Sequence, residues 1–183
     1  MIERPERSEY ADFYAGYIAA LPPGDILEIL ERQKDQLRHL ANVTADRETF
    51  RYAPGKWSVR EVVGHLVDAE RVFSYRALRF SRGDETPLPG FDENFYVAHA
   101  RFDDRTLQSL IGELTLLRSA NVLLFRELSP EELARFGEAN TYPVSVRALA
   151  FILAGHLQHH FNVLRERYGI EVPALGLSGG SRP

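Results

Sequence analysis

Apolar residues recur at intervals of three and four over four long stretches of this chain, the spacing of helices with one buried face. The first opens at Asp25, an N-cap with Glu28 three residues on, and runs to about Val43. Its stripe is Ile26, Ile29, Leu30, Leu37 and Leu40, with Gln33 in the middle. The second opens at a Ser58-x-x-Glu61 capping box and continues to about Phe80, with Val59, Val62, Leu66, Phe73 and Phe80 inward. The third spans roughly Arg105 to Leu128 on Leu107, Leu110, Ile111, Leu114, Val122 and Phe125. The fourth runs from about Ser145 to Tyr168 and stops at Gly169, a residue favoured just past a helix end.

Shorter helices are expected around Glu9 to Ala20, rich in Tyr10, Phe13, Tyr14 and Tyr17, and after Ser129-Pro130-Glu131-Glu132. Strand signals are scarce. The predicted fold is all-α, a four-helix bundle with short extra helices, forming a single domain over residues 1–170 and followed by a flexible Gly- and Ser-rich tail over 171–183. A long middle connection, Ser81 to Asp104, suits either a plain crossing of the bundle end or, the favoured reading, a lid with Phe91, Asp92, Glu93 and Phe95 helping to wall a cavity.

Composition narrows the chemistry. The 183 residues carry 22 Lys and Arg against 26 Asp and Glu, a net charge of −4 that disfavours nucleic acid as a partner. There is no cysteine, which removes disulfides, thiolate metal sites and a cysteine nucleophile together. The charged start of the chain lacks the apolar core of a signal peptide, and no stretch reaches the ~20 apolar residues of a membrane span, so no membrane role and a cytoplasmic location are expected.

Histidine carries the remaining signal. At about 100° per residue, His156 and His160 fall at the centre of the fourth helix's apolar stripe, and His159 lies at its edge. A single histidine on such a face is usually a core residue satisfied by hydrogen bonds. Two at i and i+4 each need partners for a donor and an acceptor, and a shared metal ion meets that need. Of the others, His39 points away from its helix's stripe, His99 has no clear periodicity, and His65 flanks the apolar face of the second helix, which makes it the best third ligand. Ser58-Val59-Arg60 before Gly64-His65-Leu66 is echoed by Ser145-Val146-Arg147 before Gly155-His156-Leu157, with cap-to-histidine distances of 7 and 11 residues. The difference is about one helical turn.

These segments, Trp57-Ser58-Val59-Arg60-Glu61 with Gly64-His65-Leu66-x-Asp68-Ala69-Glu70 and Gly155-His156-x-x-His159-His160, resemble the DinB-like (DinB/YfiT) superfamily over about Asp25 to Gly169. The resemblance implies a four-helix bundle holding a divalent metal, zinc or nickel, on His65, His156 and His160. It also implies a metal-dependent hydrolase or a transferase using a low-molecular-weight thiol on a small organic substrate, and a homodimer. The alternative is a non-catalytic metal-binding bundle with a structural or stress-response role. Gln33, Arg118 and Asn121 fall on inward faces, where they form either a buried amide network beside an Arg reaching to water or a substrate-binding set around the metal cavity. Asp68 and Glu70 either orient ligands or move protons or, the favoured reading, are exposed helix-face charges, and Trp57 reads as a packing anchor.

Overall fold

The computed structural model describes residues 1–175. The four expected long helices are present as α2 (Ile26–His39), α4 (Val59–Ser81), α6 (Leu107–Glu127) and α8 (Val146–Tyr168), accompanied by α1 (Ala15–Ala19), α3 (Ala45–Glu48), α5 (Glu93–His99) and α7 (Pro130–Ala134). Their ends follow the caps read from sequence. The Asp25 carboxylate accepts from Leu27 N, Ser58 and Glu61 form the reciprocal capping box, Ser145 Oγ accepts from Ala148 N, and Gly169 closes α8 in the left-handed region at φ 64°.

Each of α2 and α4 packs on both α6 and α8, so the order around the bundle is α2, α6, α4, α8. The long helices α2 and α4, and likewise α6 and α8, therefore face each other diagonally, and the chain must cross a bundle end between the members of each pair. The α6-to-α8 crossing carries an unexpected element, a hairpin of β1 (Phe136–Ala139) and β2 (Tyr142–Ser145). Its turn residues Asn140 and Thr141 both have positive φ, 53° and 65°, as a two-residue turn matched to strand twist requires. The middle connection pairs with this hairpin through Leu88, whose N–H donates to Glu138 O and whose carbonyl accepts from Asn140 N. It then forms α5, capped by the Asp92 carboxylate.

The aromatic N-terminal segment is two 3-10 turns and the short α1, laid across α8. It is anchored by buried Glu9, which accepts from Ser145 Oγ at 2.6 Å and Arg147 Nε at 2.7 Å. At the other terminus Val172 is buried, and Gln36 Nε2 donates to Pro173 O at 2.6 Å, so the chain just past α8 is tied to the bundle. The rest of the expected flexible tail, 176–183, lies outside the described residues. None of the described helices is long and apolar enough to cross a membrane.

The core is divided. One apolar cluster gathers Ile26, Ile29, Phe73, Phe80, Phe125 and Leu149 beneath α1 and the hairpin; another gathers Leu37, Val63, Leu110, Leu157 and Phe161 at the opposite end. The residues between them are polar.

Candidate metal centre

His65 on α4 and His156 and His160 on α8 meet at this divide. One ring nitrogen from each lies within 4.8 Å of the others. His65 Nε2 and His156 Nε2 are 3.1 Å apart, so with nothing between them one ring must donate to the other. His160 Nδ1 is buried without a hydrogen-bond partner. Two glycines permit the approach of neighbouring segments. A Cβ at Gly64 would lie 2.4 Å from the Phe102 ring, and one at Gly155 would lie 2.3 Å from the Tyr17 carbonyl oxygen. The repeated Gly-His dipeptide thus marks the two places where a covering segment touches a histidine-bearing helix.

Burial keeps all three imidazoles neutral. It is the main cause that lowers His65 to about 4, helped by His159, and that holds His156 and His160 well below their ordinary value, with the neighbouring histidines adding repulsion. Neutral nitrogens are the form that ligates metal. Three converging nitrogen donors without a carboxylate suit zinc, nickel or copper better than calcium or magnesium. The donor set and the orphaned His160 nitrogen therefore fit a divalent transition-metal ion.

The centre opens into a cavity of about 360 Å³ between α1, α4, α8 and the middle connection. Its walls are mainly aromatic, with Tyr14, Tyr17, Trp57, Phe73 and Phe91, and Arg76 and Glu93 supply charge. Phe91 and Glu93, two of the four side chains expected to wall a cavity, line it. Phe95 instead stacks on His99 at 4.0 Å between ring centroids, and Asp92 is occupied as a cap.

The match to known proteins now has geometry beneath it. The family model described as DinB superfamily matches residues 28–164, which include all three histidines. The chain belongs to the DinB superfamily. It is 26% identical over 137 residues to a protein of Oceanobacillus iheyensis named "putative metal-dependent hydrolase", covering 73% of this chain and 78% of that one. Its fold is similar to that of YfiT from Bacillus subtilis, described as a probable metal-dependent hydrolase with an unusual four-helix bundle topology, at a TM-score of 0.68 and 20% identity over 92% of this chain and 95% of YfiT. The mycothiol-dependent maleylpyruvate isomerase is similar over 78% of this chain and 60% of its own length, with a TM-score of 0.62 and 14% identity.

Beside the histidines of this DinB bundle lies a second buried polar group. Arg118, 1% exposed, donates from Nη1 to Gln33 Oε1 at 2.6 Å and from Nη2 to Glu70 Oε2 at 2.7 Å. Asn121 Nδ2 donates to Glu70 Oε1 at 2.8 Å, and Gln33 Nε2 donates to Ala154 O at 2.8 Å. Burial raises the Glu70 carboxyl against the opposing pull of Arg118 and Asn121. Gln33, Arg118 and Asn121 are thus brought together, but they do not line the cavity, and Arg118 does not reach water.

Glu70 is the residue that an exposed-charge reading missed. It falls four residues after Leu66 and three before Phe73, both inward, so the helical period already placed it inside. Asp68 is half-buried, with burial raising its carboxyl. His39 and His99 are exposed and away from the centre, while His159 is exposed at its rim, 5.3 Å from Tyr17 between ring centroids. Trp57 packs on the core and also lines the cavity, 4.9 Å from the His65 ring. Arg76 was missed in the same way as Glu70: it falls three residues after Phe73 and four before Phe80, both inward, so the period places it inside as well.

Proposed function

We propose that His65, His156 and His160 hold one divalent ion, zinc or nickel, and that the protein is a metal-dependent hydrolase acting on a small organic substrate in the adjoining cavity. The observation that carries this reading is the convergence of three neutral imidazoles, two buried and one half-buried, at the floor of an aromatic-walled cavity, with no fourth His, Asp or Glu ligand grouped with them among the described residues. A divalent ion held there would polarise a water or a substrate carbonyl oxygen. The chain's own residues do the rest. Tyr17, protonated at neutral pH at its ordinary value and pushed up further by burial, can donate a hydrogen bond to charge developing on a substrate oxygen. His159, kept largely neutral at pH 7 by partial burial, can take a proton at the rim.

A thiol-dependent transfer is the second reading. A further cavity of about 260 Å³, lined by Tyr52, Lys56, Asn94 and Tyr168, shares Trp57, His159 and His160 with the first and offers room for a co-substrate such as a low-molecular-weight thiol. The mycothiol-dependent structural neighbour favours the same possibility.

Elemental analysis of purified variants tests the ligand set. His65→Ala, His156→Ala and His160→Ala are each expected to lower metal content roughly tenfold or more, and His159→Ala to lower it little. Ester hydrolysis and thiol conjugation, screened with and without chelator, separate the two reactions; activity that survives complete metal removal overturns both.

A further inference from the structure

Arg76 lines the metal-centre cavity, yet only 3% of its surface is exposed. Its guanidinium donates from Nη2 to the Pro89 carbonyl at 2.9 Å, sits 5.8 Å above the Phe73 ring, and is near enough to the Tyr14 hydroxyl, which lines the same cavity, to oppose the rise that burial gives that phenol. Among the described residues no carboxylate forms an ion pair with it. The other deeply buried guanidinium, Arg118, has its Glu70. A buried cation with one carbonyl acceptor and no counter-ion is costly unless an anion completes it.

Its position relative to the histidines adds the rest. Arg76 and His65 lie on nearly the same face of α4, about three turns and ~16 Å apart along the axis, and side chains in a helix lean toward its N-terminus, here toward His65. Phe73 stands between them, 5.8 Å from the guanidinium and 5.7 Å from the His156 ring, and Tyr14 and Phe91 line the same cavity, an apolar wall suited to a ring or a short hydrocarbon body. The free N–H groups of a guanidinium match two oxygens of an oxyanion. We infer that the cavity binds an organic oxyanion end to end, with its charged terminus on Arg76 and Tyr14 and its apolar body along Phe73 and Phe91, so that the opposite end reaches the histidines. This deepens the hydrolase reading by naming the substrate class, but the anion site itself stands on Arg76 and not on the metal.

The test uses phenylacetate, phenyl phosphate and neutral phenylacetamide, with binding measured by ligand-observed NMR and calorimetry on both metal-free and metal-loaded protein. At least one of the two anions should bind the metal-free protein about tenfold or more tightly than the amide does, and Arg76→Gln should remove that preference. Arg76→Lys should retain part of it, and Tyr14→Phe should weaken it while circular dichroism stays that of the wild type. The relative affinities of the two acids decide between carboxylate and phosphate. Equal binding of acids and amide, no binding of either acid to metal-free protein, or acid binding that appears only with metal and is unchanged in Arg76→Gln would each overturn the inference. That last result would leave the metal reading intact. Failure of the protein to take up metal, with Arg76-dependent binding preserved, would do the reverse.

Discussion

The Arg118 layer and the histidine cluster lie within about one helical turn of each other on α8, yet one is built from complementary groups and the other from identical ones. Arg118 is matched by Glu70, Gln33 and the Leu153 carbonyl, and both Glu70 oxygens accept. Only Arg118 Nε is left without a partner in that group. The layer leaves little for a ligand to do, and its hydrogen bonds cross from α6 to α2, α4 and α8. Shifting one of those helices by a turn would strand a charge, so the layer fixes register. In the histidine cluster two nitrogens confront each other, a third is orphaned, and among the described residues no carboxylate is grouped with them. A polar group that satisfies itself reads as architecture, whereas one whose unmet atoms converge beside a cavity reads as a place for something else.

That contrast predicts unequal responses to damage. The largest belongs to the layer. Glu70→Ala leaves Arg118 buried and unpaired, which costs on the order of 3–5 kcal/mol. The thermal midpoint should fall by roughly 10 °C for a chain of this size. A loss under about 1 kcal/mol in urea unfolding would mean that the layer is wetter and less essential than its burial indicates.

Acidification strikes the other region. The His65 imidazole is at its ordinary value of 6.5 when unfolded and about 4 when folded, so below 6.5 the unfolded chain binds more protons. Stability contributed by keeping this ring neutral is complete above 6.5 and is lost as pH falls from there through about 4, amounting to about 3 kcal/mol at the bottom of that window. His156 and His160 push in the same direction. Metal-free protein should therefore show a midpoint that drops between pH 6.5 and 4, and the drop should be shallower, though not abolished, in His65→Phe. A flat profile would mean that the histidines are solvated.

Much of this was legible in the sequence because helix boundaries are local. Asp25, Ser58, Ser145 and Gly169 each announce an end through chemistry within a few residues, and the apolar stripes fix which faces turn inward. The hairpin was hidden because its strands are only four residues long and its turn is Asn140-Thr141 in place of the more telling Asn-Gly. The short α5 did have a signal, an Asp92 cap within the connection, that the run of Pro and Gly obscured. Arg76 is put on the inward face by the helical period, between Phe73 and Phe80, but that period does not say what receives it there. Its burial depends on Pro89 and Tyr14, which approach it from separate segments. Similarly, the side chains around Arg118 are brought together by three other helices, and only the fold distinguishes a closed network from a cavity lining.

Gly155 sits where α8 passes from one region to the other, directly after the Leu153 and Ala154 carbonyls that serve the layer and directly before His156. On helix propensity alone, replacing it with Ala would stabilise by about 1 kcal/mol. A steric clash outweighs that gain. The new Cβ would lie 2.3 Å from the Tyr17 carbonyl oxygen, a backbone atom that cannot rotate away, so α1 must lift from α8. Overpacking of this kind costs about 1–3 kcal/mol. The net expectation for Gly155→Ala is a loss of about 1 kcal/mol, read as a midpoint lowered by a few degrees. Metal content should stay at the wild-type level, since neither the three histidines nor the Arg118 layer touches the displaced segment through that atom. The Tyr17 ring, 5.4 Å from His156 between centroids, would move with α1, so ligand binding in the cavity should weaken more than stability does. A more stable Gly155→Ala protein would show that α1 is held less closely against α8 than the Tyr17 contact requires, and that the cavity is walled by a segment free to retreat.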